Sequence, residues 1–328
     1  MQAFPDAGAE DRELLGAATE AARSAAEAHR TGSPSGSGWA EKARADFVTD
    51  VDREAERRIG RLLGERFPGH RIVAEEAADD AAAADRGHRD GPPDDAGDGA
   101  GSTPDRRPPG SGDGDAPASP PGAPDAGGDA SFAWIVDPLD GTTNWLHGYP
   151  EHAVSIAGKD EEGLRVAVVL NSATGELFQA LRGQGARRDG EPVHVSDVTD
   201  PRMALVGTGF PFKKPDLVEG YLPTLGRLLL ATSGVRRGGS AALDLCDLAC
   251  GRLDAFWELW LLPWDVAAGA LILEEAGGVL ERLDVGDVTG GGPDGAPEPI
   301  GSFANAEGRG YLAATPELLE AFRAVVRG

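Results

Sequence analysis

The sequence predicts an α/β fold. Two observations carry that expectation. Apolar stripes at helical spacing alternate along the chain with short apolar runs of strand type, and acidic residues recur where a strand run ends or a helix run begins. Glu10 to His29 reads as an alanine-rich helix, with Leu14, Leu15, Ala18, Ala22 and Ala25 on one stripe. A second helix follows Thr49, with Val51, Ala55, Ile59, Leu62 and Leu63 inward and Thr49 with Asp52 as a capping pair. His70–Ala74 and Phe132–Val136 are strand-like and flank a long polar stretch, so they read as neighbours joined by an overgrown loop. Ala153–Ala157, Leu164–Leu170 and Glu176–Ala180 read as a meander. Met203–Val206 is another strand, Ala241–Gly251 a helix, Leu253–Leu259 a strand, Trp264–Ala276 a helix and Val279–Arg282 a strand. Tyr311–Ala313 is a short strand, after which Thr315 caps a final helix with Pro316 at its first position.

The segment Ala77 to Ala130 stands apart. Its 54 residues include 13 Ala, 12 Asp, 11 Gly and 9 Pro, with no Val, Ile, Leu, Met or aromatic residue. Such a run cannot bury enough apolar surface to offset its chain entropy, so the sequence predicts a disordered insert there. Gly286 to Pro299 reads as a second surface loop. The remainder is expected to form one fold over 1–328, with an N-terminal half to about 195 and a C-terminal half from about 196.

Composition excludes several function classes. Across 328 residues the net charge is −24, a field that repels nucleic acid and anionic membranes. No stretch of 18 apolar residues exists to span a bilayer, and Met1 to Glu20 carries acids where an export signal carries bases and an apolar run. A cytoplasmic protein is expected. Lys42, Lys159, Lys213 and Lys214 are the only lysines among 31 basic residues, a balance that fits either a salt-rich cytoplasm or a GC-rich genome. Two cysteines, Cys246 and Cys250, exclude a disulfide scaffold and a four-cysteine zinc site. One helical turn apart, they read as small buried hydrophobes.

The chemistry concentrates in Trp134-Ile-Val-Asp137-Pro-Leu-Asp140-Gly-Thr-Thr-Asn144. An apolar strand runs into Asp137, Pro138 suits a sharp exit, and Asp140 three residues on lets two carboxylates face one point. Gly141, Thr142 and Thr143 then open a helix whose first amides form an anion site. Carboxylates beside an anion site are reconciled by hard cations between them, which gives a metal-plus-phosphate picture. Three further segments carry acids at equivalent places: Asp46-Phe-Val-Thr-Asp50-Val-Asp52, Ile72-Val-Ala-Glu75-Glu76 and Leu262-Pro-Trp-Asp265. Taken singly, Asp52 and Asp265 are ordinary helix caps and Glu75-Glu76 a solvated pair. His147 and His152 lack metal-ligand spacing, and Trp257, Trp260 and Trp264 read as core.

Together, the four segments resemble the inositol monophosphatase family of magnesium-dependent, lithium-sensitive phosphatases. The match runs through Asp46-Phe-Val-Thr49…Asp52, Ala74-Glu-Glu76, Trp134 through Pro150 and Trp264 through Gly278, from about residue 10 to the C-terminus apart from the insert. Ala74 stands where the family usually has glycine. The resemblance implies a layered α/β/α/β/α sandwich and a homodimer. It further implies two to three Mg²⁺ ions: one on Glu75, Asp137 and the Leu139 carbonyl, one on Asp137, Asp140 and Asp265, and a weaker third helped by Asp52 and Glu75. Glu75 is thereby counted with the catalytic residues. Asp52 and the Thr142 hydroxyl would orient the attacking water, and the amides of Gly141 and Thr142 would bind phosphate. Gly239, Ser240, Ala241 and Glu258, with Asp140 and Asp265, would meet the rest of a small phosphorylated polyol. The implied activity is hydrolysis of inositol 1-phosphate by activated water. The D-P-L-D spacing, unlike D-x-D, argues against a phosphoenzyme. Histidinol-phosphate and fructose-1,6-bisphosphate phosphatases on the same fold are the alternatives, as is a binding or regulatory protein that keeps the fold. Asp140-Gly-Thr-Thr-Asn-Trp145 disfavours the nucleotide-type members, which tend to read D-G-T-K-E-F there.

Overall fold

A computed structural model describes residues 4–33, 39–43, 46–78, 131–283 and 309–328. Most of the expected insert, 79–130, and the expected loop Gly286–Pro299 lie outside the described residues. The first two residues assigned to the insert, Ala77 and Ala78, belong instead to a helical turn over 75–78 that begins at Glu75. Ala78 packs against the core there.

Helix α1 spans Ala9–Thr31, and its alanine stripe lets it lie close to its neighbour α2, Asp50–Arg66. The Thr49–Asp52 capping pair forms as the sequence predicts. The Thr49 hydroxyl accepts from the amides of Val51 and Asp52, and Asp52 accepts from the Thr49 amide at 2.9 Å. Strands β1 (Trp39–Ala43) and β2 (Asp46–Thr49) form an antiparallel hairpin leading into α2.

A seven-stranded sheet follows. It comprises β3 (Arg71–Ala74), β4 (Ala133–Asp140), β5 (Ala153–Asp160), β6 (Gly163–Asn171), β7 (Leu177–Leu181), β8 (Ala186–Arg188) and β9 (Glu191–Val193), in that spatial order. The β5–β7 meander matches expectation, while the short β8 and β9 carry no apolar alternation for a sequence reading to find. The chain does not leave β4 at Asp137. The strand continues through Pro138 to Asp140, with a register shift between Asp137 and Asp140 in its pairing with β5. A bulge absorbs the missing proline donor that the sequence reading took as an exit. The short helix α3, Thr142–Leu146, follows.

The second sheet has five strands in the order β11-β10-β12-β14-β13, comprising β10 (Leu205–Thr208), β11 (Gly234–Arg236), β12 (Ala255–Leu261), β13 (Val279–Leu283) and β14 (Arg309–Ala314). Helices α5 (Ala241–Ala249) and α6 (Pro263–Glu275) pack between the two sheets. Gly269 makes their close approach possible, since a Cβ there would lie 2.8 Å from the Cβ of Leu245. Helices α4 (Val218–Ala231) and α7 (Pro316–Arg327) cover the far side of the second sheet. With α1 and α2 outside the first sheet, the layers run α/β/α/β/α. Helix α4 escapes the sequence reading because Gly220, Pro223 and Gly226 interrupt its periodicity. Thr315 and Pro316 open α7 as expected, but the Thr315 side chain makes no cap bond.

The C-terminal end of α1 is tied to the first sheet by histidine. His29 Nδ1 lies 2.8 Å and His152 Nδ1 2.9 Å from the Ser172 hydroxyl, all three buried. Burial, then the neighbouring His152, lowers His29 from 6.5 to about 3. The unfolded chain therefore binds a proton that the folded chain refuses between these values. This contribution to stability is complete above pH 6.5 and is lost as pH falls. In Mg²⁺-containing buffer, His29 is expected to cost about 2 kcal/mol on going from pH 7 to pH 5. Denaturant titrations should show a shallower acid slope for His29→Gln. An unchanged slope would overturn this assignment.

Candidate active site

Sheet register brings the acids together. In β3–β4, Ala74 pairs in parallel with Val136, so the next residues, Glu75 just past β3 and Asp137 within the last half of β4, come side by side near the carboxyl end of the sheet. Asp137 is buried, and its Oδ1 accepts the Leu139 amide at 2.9 Å, which closes the bulge. Burial first, then the charges of Glu75, Asp140 and Asp265, push Asp137 well above the usual carboxylate range.

Asp140 faces the second half of the chain. Its Oδ2 accepts from the Ser240 hydroxyl at 2.6 Å and the Ala242 amide at 2.9 Å, at the start of α5. Burial raises it to about 6 against those bonds. Asp265 sits in the first turn of α6 and accepts the Leu262 amide at 2.7 Å, so its capping role is real. Burial, followed by Glu75 and Asp140, pushes it up to about 8. The Ser155 hydroxyl of β5 bonds the Trp264 carbonyl at 3.3 Å and fixes this turn against the first sheet.

Asp52 is buried on α2 and reaches the same place through Thr142, whose hydroxyl is 3.0 Å from Asp52 Oδ1 and 3.0 Å from the Leu139 carbonyl. Burial raises Asp52 to about 6, with Glu75 adding to the rise and the Thr49 bonds opposing it. Gly141 has φ +90°. A Cβ there would lie 2.8 Å from the Glu151 carbonyl oxygen and 3.3 Å from that of Gly239. Gly239 has φ +94°, and the Asn144 amide donates to the Gly238 carbonyl at 3.0 Å, so α3 and the 238–240 loop are sewn together. Ser240 caps α5 by accepting the Leu243 amide at 3.3 Å, and Ala241 is its first residue.

Glu258 departs from the sequence reading, which put it at a strand end. It lies inside β12, and its carboxylate occupies the space a Gly209 side chain would fill, with Oε1 1.8 Å from that Cβ position. Burial, then Asp265 and Asp140, raises it to about 8, while Arg237 and Lys213 pull it down.

Lys213 and Asp244 are among the residues of this neighbourhood that escape the sequence reading. The exposed Lys213 lowers Asp140, Asp265 and Glu258 alike. Its one signal is that it stands beside Lys214 in a lysine-poor chain. Asp244 on α5 is buried beneath Gly238 and raised well above the carboxylate range by burial and then by Glu258. Nothing in the sequence distinguishes it from other helix acids.

Among the described residues, no three acids, histidines or cysteines form a closed metal cage. The acids nonetheless share one field, since Glu75, Asp140 and Asp265 each raise Asp137. Mutual repulsion of that kind is what a cation between them relieves. The donors are carboxylate and carbonyl oxygens, a set that fits a hard divalent cation.

The profile of the inositol monophosphatase family matches residues 10–327. A Pseudomonas aeruginosa protein named Nus factor SuhB is 40% identical over 252 residues, 76% of this chain and 75% of that protein. An inositol-1-monophosphatase of Synechocystis is 36% identical over 245 residues, 74% of this chain and 70% of that protein. Among solved structures, the extragenic suppressor protein suhB of Bartonella henselae superposes with a TM-score of 0.73 at 27% identity, covering 96% of this chain and 98% of that one. The inositol monophosphatase of Anabaena gives 0.65 at 28% identity, covering 96% and 95%.

Proposed function

The chain belongs to the inositol monophosphatase family, and on that premise we propose that it hydrolyses a phosphate monoester, inositol 1-phosphate foremost, with Mg²⁺. The observation that supports this reading is the shared field of Glu75, Asp137, Asp140 and Asp265 beside the Gly141 turn. Glu75, Asp137 and the Leu139 carbonyl would hold one Mg²⁺; Asp137, Asp140 and Asp265 a second; Asp52 and Glu75 would help hold a third. Bound divalent cations would supply charge neutralisation at the phosphoryl oxygens and at the leaving alkoxide. The chain's own residues do the rest. Amides at Gly141 and Thr142 receive phosphate oxygens, and the loop through Gly239, Ser240 and Ala241 shapes the space beyond. The Thr142 hydroxyl and Asp52 orient a water in line with the leaving oxygen, and Asp52, raised to about 6 by burial, takes its proton. Glu258 accepts hydrogen bonds from the polyol.

A panel of phosphate monoesters assayed with Mg²⁺ tests this reading. Inositol 1-phosphate is expected to lead histidinol phosphate and fructose 1,6-bisphosphate. Failure to hydrolyse any ester would overturn it in favour of a binding or regulatory protein, the reading that relatives named Nus factor favour. The −24 charge argues against direct nucleic-acid contact in either case. We take the protein to be a cytoplasmic homodimer. Among the described residues no helix is long and apolar enough to cross a membrane. Millimolar Li⁺ is expected to inhibit by competing for Asp137, Asp140 and Asp265.

Above pH 8, where Glu258 is ionised, Glu258→Gln is expected to raise KM for inositol 1-phosphate and to cost about ten- to a hundredfold in kcat/KM, the worth of a hydrogen bond to a charged group. An aryl phosphate without hydroxyls should be nearly unaffected. Equal loss on both substrates would assign Glu258 a structural role.

A further inference from the structure

Strand β12 carries a backbone anomaly two residues past Glu258. Trp260 has φ +68°, in the left-handed region that a bulky side chain avoids. The β12–β14 register shifts between Glu258 and Leu261, so one extra residue is inserted there. The consequence is visible in the packing. Phe256 and Leu261 face the layer between the sheets, whereas Trp257 and Leu259 face the outer helices, and Trp260 joins the outer side instead of continuing the alternation. Its ring then lies under the Lys214 ammonium, 4.1 Å from Nζ to the ring centre.

Lys214 ends a short loop that starts at Gly209 directly after β10. The loop's own turns hold it, through Phe212 amide to Phe210 carbonyl at 2.7 Å and Lys214 amide to Pro211 carbonyl at 3.1 Å. At its start, the Glu258 carboxylate occupies the space beside Gly209. One bulged strand therefore grips this loop at both ends, with Glu258 at Gly209 and Trp260 at Lys214. Between the grips the loop displays Lys213, Phe210 and Phe212 to solvent. A strained tryptophan persists only where its surroundings over-determine it, and such strain gathers at functional sites.

We propose that Trp260 is a positioning residue for substrate choice: by stacking on Lys214 it locks the Gly209–Lys214 loop against β12 and so holds Glu258 and Lys213 in the places that recognise the non-phosphate part of a polyol phosphate. This inference rests on the hydrolase reading above for its kinetic arm alone. Loss of the lock lets the loop and Glu258 sample several positions, which weakens ground-state recognition of the polyol but leaves the phosphate end unchanged.

Two variants test it, Trp260→Gly, which suits the positive φ but removes the ring, and Lys214→Met, which keeps the stem and removes the charge. Lys214→Met leaves the backbone undisturbed and is expected to fold as the wild type does. The first readout is tryptic cleavage after Lys213 in the native protein, expected to quicken about five- to tenfold in both variants as the loop opens. Trypsin does not cleave before Pro215, so Lys213 reports alone within this loop. The second readout is kinetic: KM for inositol 1-phosphate should rise about five- to tenfold with kcat within about twofold, and an aryl phosphate should show neither change. Unchanged cleavage in both variants overturns the lock. Faster cleavage with unchanged KM, or equal loss on both esters, overturns the role in substrate choice. If the wild-type enzyme hydrolyses neither ester, the hydrolase reading falls, and the cleavage rates still decide the lock.

Discussion

Asp137→Asn is expected to lower kcat/KM at saturating Mg²⁺ by roughly a thousandfold, or about 4 kcal/mol of transition-state stabilisation. Asp137 is the buried acid on which the fields of Glu75, Asp140 and Asp265 converge. The proposal gives it to two cations at once, so neutralising it weakens both. Its Oδ1 bond to the Leu139 amide survives in asparagine, so the bulge should keep its shape. The stability effect runs the other way. An acid raised on folding costs stability once pH exceeds its unfolded value, and Asp137 is raised well above 3.8. In chelator-treated protein at pH 7, Asp137→Asn should therefore melt no lower than the wild type, and higher where repulsion dominates. Added Mg²⁺ should raise the melting temperature of the wild type and hardly that of the variant. Near-normal turnover by Asp137→Asn would sink the assignment. A variant that melts well below the wild type without metal would show that the side chain is structural.

The second large effect is expected at Gly141. Gly141→Ala places an L-residue at φ +90° and puts a Cβ 2.8 Å from the Glu151 carbonyl and 3.3 Å from that of Gly239. Both neighbours are main chain, so neither yields by rotating a side chain. Strain and displacement together are worth roughly 3 kcal/mol, or roughly 5 °C in melting temperature for a chain of this size. The displacement falls between the phosphate-binding turn and the 238–240 loop, so turnover should fall about a hundredfold as well. Gly148→Ala is the control. Gly148 also has positive φ, at +68°, but nothing lies within 4 Å of its Cβ position. It should lose stability through conformation alone and keep its activity. Equal behaviour of the two variants would mean that backbone conformation, not space, decides both.

Much of the candidate site was legible because its signals are short-range. Thr49 and Asp52 lie three residues apart and close the capping box that the sequence reading expected. Asp137, Asp140 and Gly141 lie within five residues of one another at a strand end, and Asp265 stands at the start of the helix that its segment predicts. Errors came where a local rule met a longer-range one. By its local rule Pro138 suits a strand exit, but pairing with β5 carries β4 on to Asp140 around a bulge. Trp260 packs against the core as its type predicts, but on the outer side of the second sheet. The same bulge that breaks the β12 alternation sends it to Lys214.

The sequence by itself determined most of the alternating elements, the acid-bearing segments at Asp52, Glu75, Asp137–Asp140 and Asp265, and the family to which the chain belongs. Those properties depend on neighbours within a turn or two, or on a pattern of residue types in fixed order. Tertiary structure alone decided which acids meet. Glu75 stands beside Asp137 because Ala74 registers against Val136 across a long intervening segment. Asp140 meets Ser240 because the second sheet places α5 above the first. Burial of these carboxylates together raises Asp265 to about 8 where an isolated aspartate would stay near 3.8. A carboxylate's charge state and partners are set by what the fold packs around it, and no spacing along the chain encodes that.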